Sequence, residues 1–195
     1  SQLGLTYYGG KNYVESERSL RRAVQLKPDD YFYRYRLGLA LYEQERYGEA
    51  MTEAKESIRL KSDYSYAHGL YGDTLYGAKQ YKEAVVEYRE SLRLKPGDAS
   101  VHYQLGQSYY GLKDWASASV AFRETVKLAP NDYDAWVYLG NSLDYEMRLT
   151  EAIDAYKEAL KLRPDNAMAY SELGIAYNRD GKYAEAEKYS REAIK

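Results

Sequence analysis

The stretch YDAWVYLGNSLDYEMRLTEAIDAYKEALKLRPDN, residues 133–166, decides the fold. Within it Leu139-Gly140 is followed by Ala152, then Ala159, then Pro164. The Leu-Gly pair recurs at Leu3-Gly4, Leu37-Gly38, Leu105-Gly106 and Leu173-Gly174, and Tyr71-Gly72 fills the remaining slot. Every step is 34 residues, with no insertion. A fixed period of this length marks an array of small supersecondary units.

Three further markers keep the same register. Ser16, Ala50, Ala84, Ala118, Ala152 and Ala186 form the first. Ala23, Ser57, Ser91, Thr125, Ala159 and Ala193 form the second. Pro28, Pro96, Pro130 and Pro164 form the third, with Ser62 in place of the missing proline. The array is therefore read over 1–195 as units 1–30 (partial), 31–64, 65–98, 99–132, 133–166 and 167–195 (truncated).

Each unit reads as two helices. A short polar turn such as Ala78-Lys79-Gln80 or Arg179-Asp180-Gly181-Lys182 separates them. Between units stand Lys-Pro-Asp-Asp (27–30), Lys-Pro-Gly-Asp (95–98), Ala-Pro-Asn-Asp (129–132) and Arg-Pro-Asp-Asn (163–166). Proline cannot continue a helix, and the Asp or Asn after it caps the next one.

These residues resemble the tetratricopeptide signature, best matched by Trp136, Leu139, Gly140, Leu143, Ala152, Tyr156, Ala159 and Pro164. The resemblance covers the whole chain. It implies an all-α fold, an α-solenoid of antiparallel helix pairs wound as a right-handed superhelix. It also implies a protein-binding scaffold whose concave wall is made mainly of first helices.

The small residues have a packing role in this reading. Gly38, Gly72, Gly106, Gly140 and Gly174 fall inside the first helices, where glycine costs about 0.5–1 kcal/mol relative to alanine. A recurring cost implies close approach of the second helix. Ala50, Ala84, Ala118, Ala152 and Ala186 are expected to face the glycines.

Composition narrows the chemistry. The 25 Tyr against 2 Phe and 2 Trp suit half-buried positions where a ring packs and a hydroxyl reaches water. The net charge of −2 supplies no field to draw nucleic acid or an anionic membrane. Cys is absent, and no apolar run approaches membrane-spanning length. The two histidines, His68 and His102, fall in the slot occupied later by Trp136 and Tyr170, and are expected to be packing residues. The charged side chains, Glu83 and Glu87 with Arg89 and Arg93 among them, read as solvated helix faces. No metal site, cofactor or nucleophile–base constellation is expected, and no enzymatic activity.

In proteins of the resembling family, ligands lie along the concave wall. The corresponding residues begin with Tyr8, Tyr35, Arg36, Leu39 and Tyr42. They continue through Asp73, Tyr76, Tyr103, Gln107 and Tyr110 to Tyr138, Asn141 and Asp144. The same positions also take in Phe32, Tyr66, Leu70, Gln104, Asp134 and Tyr145, and in the last unit Met168, Glu172, Ile175, Asn178 and Arg179. Tyr8, Tyr42, Tyr76 and Tyr110 form a stripe at the repeat interval, either an aromatic ladder suited to an extended peptide or an inserted helix, or rings common at this position in the resembling family that simply shield the wall. It gives way to Asp144 and Asn178. Unit 133–166 carries seven carboxylates against four cations, so a ligand with a basic end suits it. The chaperone-binding carboxylate clamp of the same family needs Lys and Asn where this chain has Tyr35/Leu39, Gly69/Asp73, Tyr103/Gln107 or Val137/Asn141, so that specificity is not expected. Cations on the wall are few, chiefly Arg34, Arg36 and Arg179, which speaks against nucleic acid.

The expected partner is thus a protein or peptide. The chain opens Ser-Gln-Leu-Gly and stops at Ile194-Lys195, inside a repeat at both ends, and reads as a fragment with open apolar ends. The alternative function is therefore a self-assembling module that stacks end to end or exchanges terminal helices.

Overall fold

The structure, a computed structural model, describes residues 13–194, with side chains from residue 17. Among the described residues it has eleven helices and no strand. They are α1 (Tyr13–Leu26), α2 (Tyr31–Tyr42), α3 (Tyr47–Leu60), α4 (Ser65–Gly77), α5 (Tyr81–Leu94), α6 (Ala99–Gly111), α7 (Trp115–Leu128), α8 (Tyr133–Tyr145), α9 (Leu149–Leu162), α10 (Ala167–Arg179) and α11 (Tyr183–Glu192). Successive hairpins therefore begin at Tyr31, Ser65, Ala99, Tyr133 and Ala167, in step with the sequence repeat. The architecture is an α-solenoid of consecutively packed helix pairs.

The chain divides into two compact units at Gly97/Asp98. In the first, α1 packs on α2, α2 on α3, α3 on α4 and α4 on α5. Its core includes Leu20, Val24, Leu37, Leu41 and Ala50. In the second unit the same neighbour-to-neighbour packing runs from α6 to α11. Its core includes Phe122, Leu139, Leu143, Tyr156 and Leu173.

The stop–start signals act as capping devices. Asp30, Asp98, Asp132 and Asn166 each accept backbone N–H bonds at the start of α2, α6, α8 and α10. The junction lacking proline also lacks a cap: Tyr64 precedes α4 with no side-chain bond to it. Inside each hairpin the turn contains one left-handed residue: Glu45, Lys79, Lys113, Met147 or Gly181, with φ between 58° and 75°. Only Gly181 adopts this conformation without a Cβ penalty.

The recurrent Ser57, Ser91 and Thr125 are buried and bonded. Ser57 Oγ donates to the Tyr31 carbonyl and Ser91 Oγ to the Ser65 carbonyl, each at 2.9 Å, tying the second helix to the start of the first.

Close approach at the glycines takes a form the sequence did not suggest. A Cβ on Gly72 would stand 2.6 Å from the Tyr88 ring, on Gly106 2.7 Å from Phe122, and on Gly140 2.6 Å from Tyr156. At these three glycines the nearest atoms belong to an aromatic ring of the second helix. At Gly38 and Gly174 the neighbours include the backbone carbonyls of Ala50 and Ala186. The five alanines are buried, with Ala50, Ala84, Ala118 and Ala152 fully so. Their small size lets the helices meet closely while the ring fills the space beside them.

Candidate functional site

The wall residues gather separately in each unit. In the first, the Tyr42 ring lies 5.7 Å from Tyr47 and the Tyr76 ring 5.4 Å from Tyr81. Each ladder tyrosine thus rests on the first residue of the following helix and is half-buried. In the same unit the fully buried Tyr88 donates from its hydroxyl to Asp73 Oδ1 at 2.8 Å. Burial, reinforced by Asp73, pushes the Tyr42 phenol up to about 12. Leu39 and Arg36 are half-buried on the same helix.

Tyr35 belongs to a different group. Its ring meets Tyr64 edge-on at 5.3 Å and lies 6.3 Å from Tyr66, while Tyr64 meets Tyr31 at 5.0 Å. Lys61 sits over Tyr31 and Lys95 over Tyr66, at 4.9 and 4.7 Å. Tyr64, standing where other units have a helix cap, is the hub. A position replaced in the repeat pattern has been turned to aromatic packing.

In the second unit Tyr103, Tyr110 and Tyr138 converge. Tyr138 stacks on Phe122 at 5.3 Å, with Tyr103 and Tyr110 edge-on to Tyr138 at 5.9 and 5.4 Å. Gln107 Nε2 donates to the Tyr103 hydroxyl at 3.1 Å. Tyr110 also meets Trp115 at 4.9 Å, and burial pushes its phenol up to about 12. Asn141 Oδ1 accepts the Tyr156 hydroxyl at 2.7 Å. Tyr8 lies outside the described residues.

Beside this aromatic group a cavity of about 270 Å³ opens. Tyr110, Tyr145, Tyr156 and Ile175 form its apolar lining, and Asn141, Asp144, Glu172 and Arg179 its polar one. Arg179 donates from Nη1 to Asp144 Oδ2 and from Nη2 to Met147 Sδ. Burial raises the Asp144 pKa, opposed by Arg179. Burial also raises Glu172, and the Asp144 charge adds to the shift. Tyr88, Phe122, Trp115, Tyr156 and Met147 were not read from the sequence as part of the wall. They stand on second helices or in turns, and a rule that assigns the wall to first helices misses them.

The histidine slot is a structural tie. His68 Nδ1 lies 2.8 Å from Glu87 Oε2, and Nε2 lies 3.1 Å from the Ser62 carbonyl. Arg34 Nε and Trp136 Nε1, in the same slot, donate to the Pro28 and Pro130 carbonyls. Glu87 therefore reaches across to α4 and is not confined to a solvated face. Arg93 pairs within its helix, with Glu90. The Glu87 bond is the largest cause raising the His68 pKa. A raised histidine stabilises the fold fully below its unfolded value, about 6.5. That stabilisation is lost as pH rises through the folded value. The melting temperature is thus expected to fall as pH rises above about 6.5, and His68→Gln to flatten the fall; equal slopes for the two proteins would contradict the charged pair.

Among the described residues no group of three or more His, Asp or Glu is placed to hold a metal, and no helix is long and apolar enough to cross a membrane.

Hairpins in register, glycines under rings and the signature residues define a helical-repeat protein built for surface contact. Models of the tetratricopeptide repeat match residues 2–65 and 99–132, and a TPR-repeat model matches 72–113 and 148–186. The chain belongs to the tetratricopeptide-repeat family. Among solved structures it is similar to YrrB, described as a TPR protein with an unusual peptide-binding site. That match has 22% identity over 90% of each chain and a TM-score of 0.84. It is also similar to MamA, at 21% identity over 84% of this chain and 90% of that one, with a TM-score of 0.80. MamA from MSR-1 gives 0.76 at 21% identity, over 84% and 94% of the two chains. Among curated proteins no match is found. The family supplies protein–protein interaction modules, and its repeats are generally non-enzymatic.

Proposed function

We propose that the chain is a protein-interaction scaffold whose first-helix walls hold an extended peptide or a helix of a partner protein. The observation that carries this is the set of half-buried tyrosines on those helices. Tyr42 and Tyr76 in one unit, and Tyr103, Tyr110 and Tyr138 in the other, are held by neighbouring rings. Rigid rings with polar tips give contact area at low entropic cost, and such residues dominate binding energies at interfaces. The peptide-binding site for which YrrB is described lends the same reading support from a protein of this fold.

The test is a titration of a co-purifying partner with the intact chain and with the Tyr42→Ala, Tyr76→Ala double variant. Two aromatic anchors at about 1–2 kcal/mol each predict a loss of roughly thirtyfold or more. Circular dichroism should show the helix content retained. Binding that survives the double change would place the contact elsewhere.

A further inference from the structure

Given a wall that binds a partner segment, the cavity lined from α6, α8, α9 and α10 says what chemistry that segment carries. Asp144 and Glu172 both line it. Arg179 engages one oxygen of Asp144; the other, Oδ1, is buried with no hydrogen bond among the described residues. No cation among the described residues lowers the pKa of Glu172, and burial and the Asp144 charge both disfavour its ionised form. The lining therefore holds two carboxylates against one guanidinium.

The rest of the lining fits an alkyl cation. Tyr145 is 54% exposed and stacks on Trp115 at 4.3 Å, while Tyr110 is held in place by Trp115 and Tyr138. Rings so fixed accept the methylene stem of a long side chain and attract its charged head. At about 270 Å³ the cavity is smaller than the roughly 300–1,000 Å³ of a pocket for a drug-sized ligand. It is on the scale of one side chain.

We propose that this cavity receives one arginine or lysine side chain of the partner segment, its head between Asp144 and Glu172 and its stem along Tyr110 and Tyr145. A cation there balances the second carboxylate and supplies a donor to Glu172. An acidic residue would add a third carboxylate to a half-buried pair and is rejected.

Short random peptides displayed on phage would be selected on the intact chain. The winners would be remade synthetically and titrated by calorimetry against the chain and its Glu172→Gln and Asp144→Asn variants. The selected peptides are expected to share a Lys or Arg. Changing it to norleucine or citrulline, or introducing Glu172→Gln, should each weaken binding roughly tenfold. The two changes combined should lose little more than either alone, because they remove the same contact. The peptide change leaves the protein untouched and so tests the contact independently of folding. Selected peptides without a shared basic residue, or with one indifferent to Glu172→Gln, overturn the cavity assignment and leave wall binding intact. A selection that yields no binding peptide overturns both.

Discussion

Replacing Tyr88 by alanine is expected to lower the stability of the first unit by about 3–5 kcal/mol, the range for deleting a buried aromatic ring. The ring is fully buried and lies against Gly72, where even a Cβ would stand within 2.6 Å. Its removal leaves a void between α4 and α5, and the glycine that accommodates it has no side chain to fill the space. The hydroxyl donates to Asp73, so alanine also strips a hydrogen bond from the wall. Tyr88→Phe separates the two effects. It keeps the ring and should lose only about 1 kcal/mol. The second unit already uses that solution, with Phe122 over Gly106. Chemical denaturation with both variants checks the pair. Stabilities matching to within about 1 kcal/mol would show that ring burial is not what holds the hairpin.

The second large effect is of opposite geometry. Gly140→Leu inserts bulk where the Tyr156 ring already sits, 1% exposed and 2.6 Å from an ideal Cβ. Overpacking of this kind costs about 1–3 kcal/mol, because the ring must leave its rotamer or α8 must move from α9. Gly48 supplies the contrast. It lies on α3 with nothing within 4 Å of an added Cβ, so Gly48→Ala should stabilise by about 0.5–1 kcal/mol through helix propensity alone. Combining Gly140→Leu with Tyr156→Ala should cost less than the two singles added, since the smaller residue makes room for the larger. Thermal melts of the four variants read the signs directly. An unchanged melting temperature for Gly140→Leu would contradict the close approach.

Both expectations show how the repeat works. A hairpin with one glycine face and one ring face closes tightly, and neighbours then share the remaining apolar surface. The wall follows from this packing. Tyrosines that rest on Tyr47, Tyr81 or Trp115 are aimed by the hairpin, not by the wall. Rigidity of that kind is what an aromatic contact surface requires.

Periodicity alone determined the helix pairs, their starts and their caps, because proline, Asp/Asn and glycine act through local backbone chemistry. Asp30, Asp98, Asp132 and Asn166 cap where the pattern placed them. Sequence also marked Asp144, Glu172 and Arg179 as wall positions, since repeat register assigns a face. Which side chains meet was decided by tertiary structure. Spacing could not reveal that Tyr88 and Tyr156 press on glycines 16 residues earlier, or that Glu87 reaches His68. Nor could it reveal that Arg179 engages only one oxygen of Asp144 while Glu172 gains none of its donors. Those facts depend on the distance between helices, the rotamer each ring adopts and the burial of each charge. A one-dimensional repeat specifies position along a helix, and only packing specifies what fills the space between two of them.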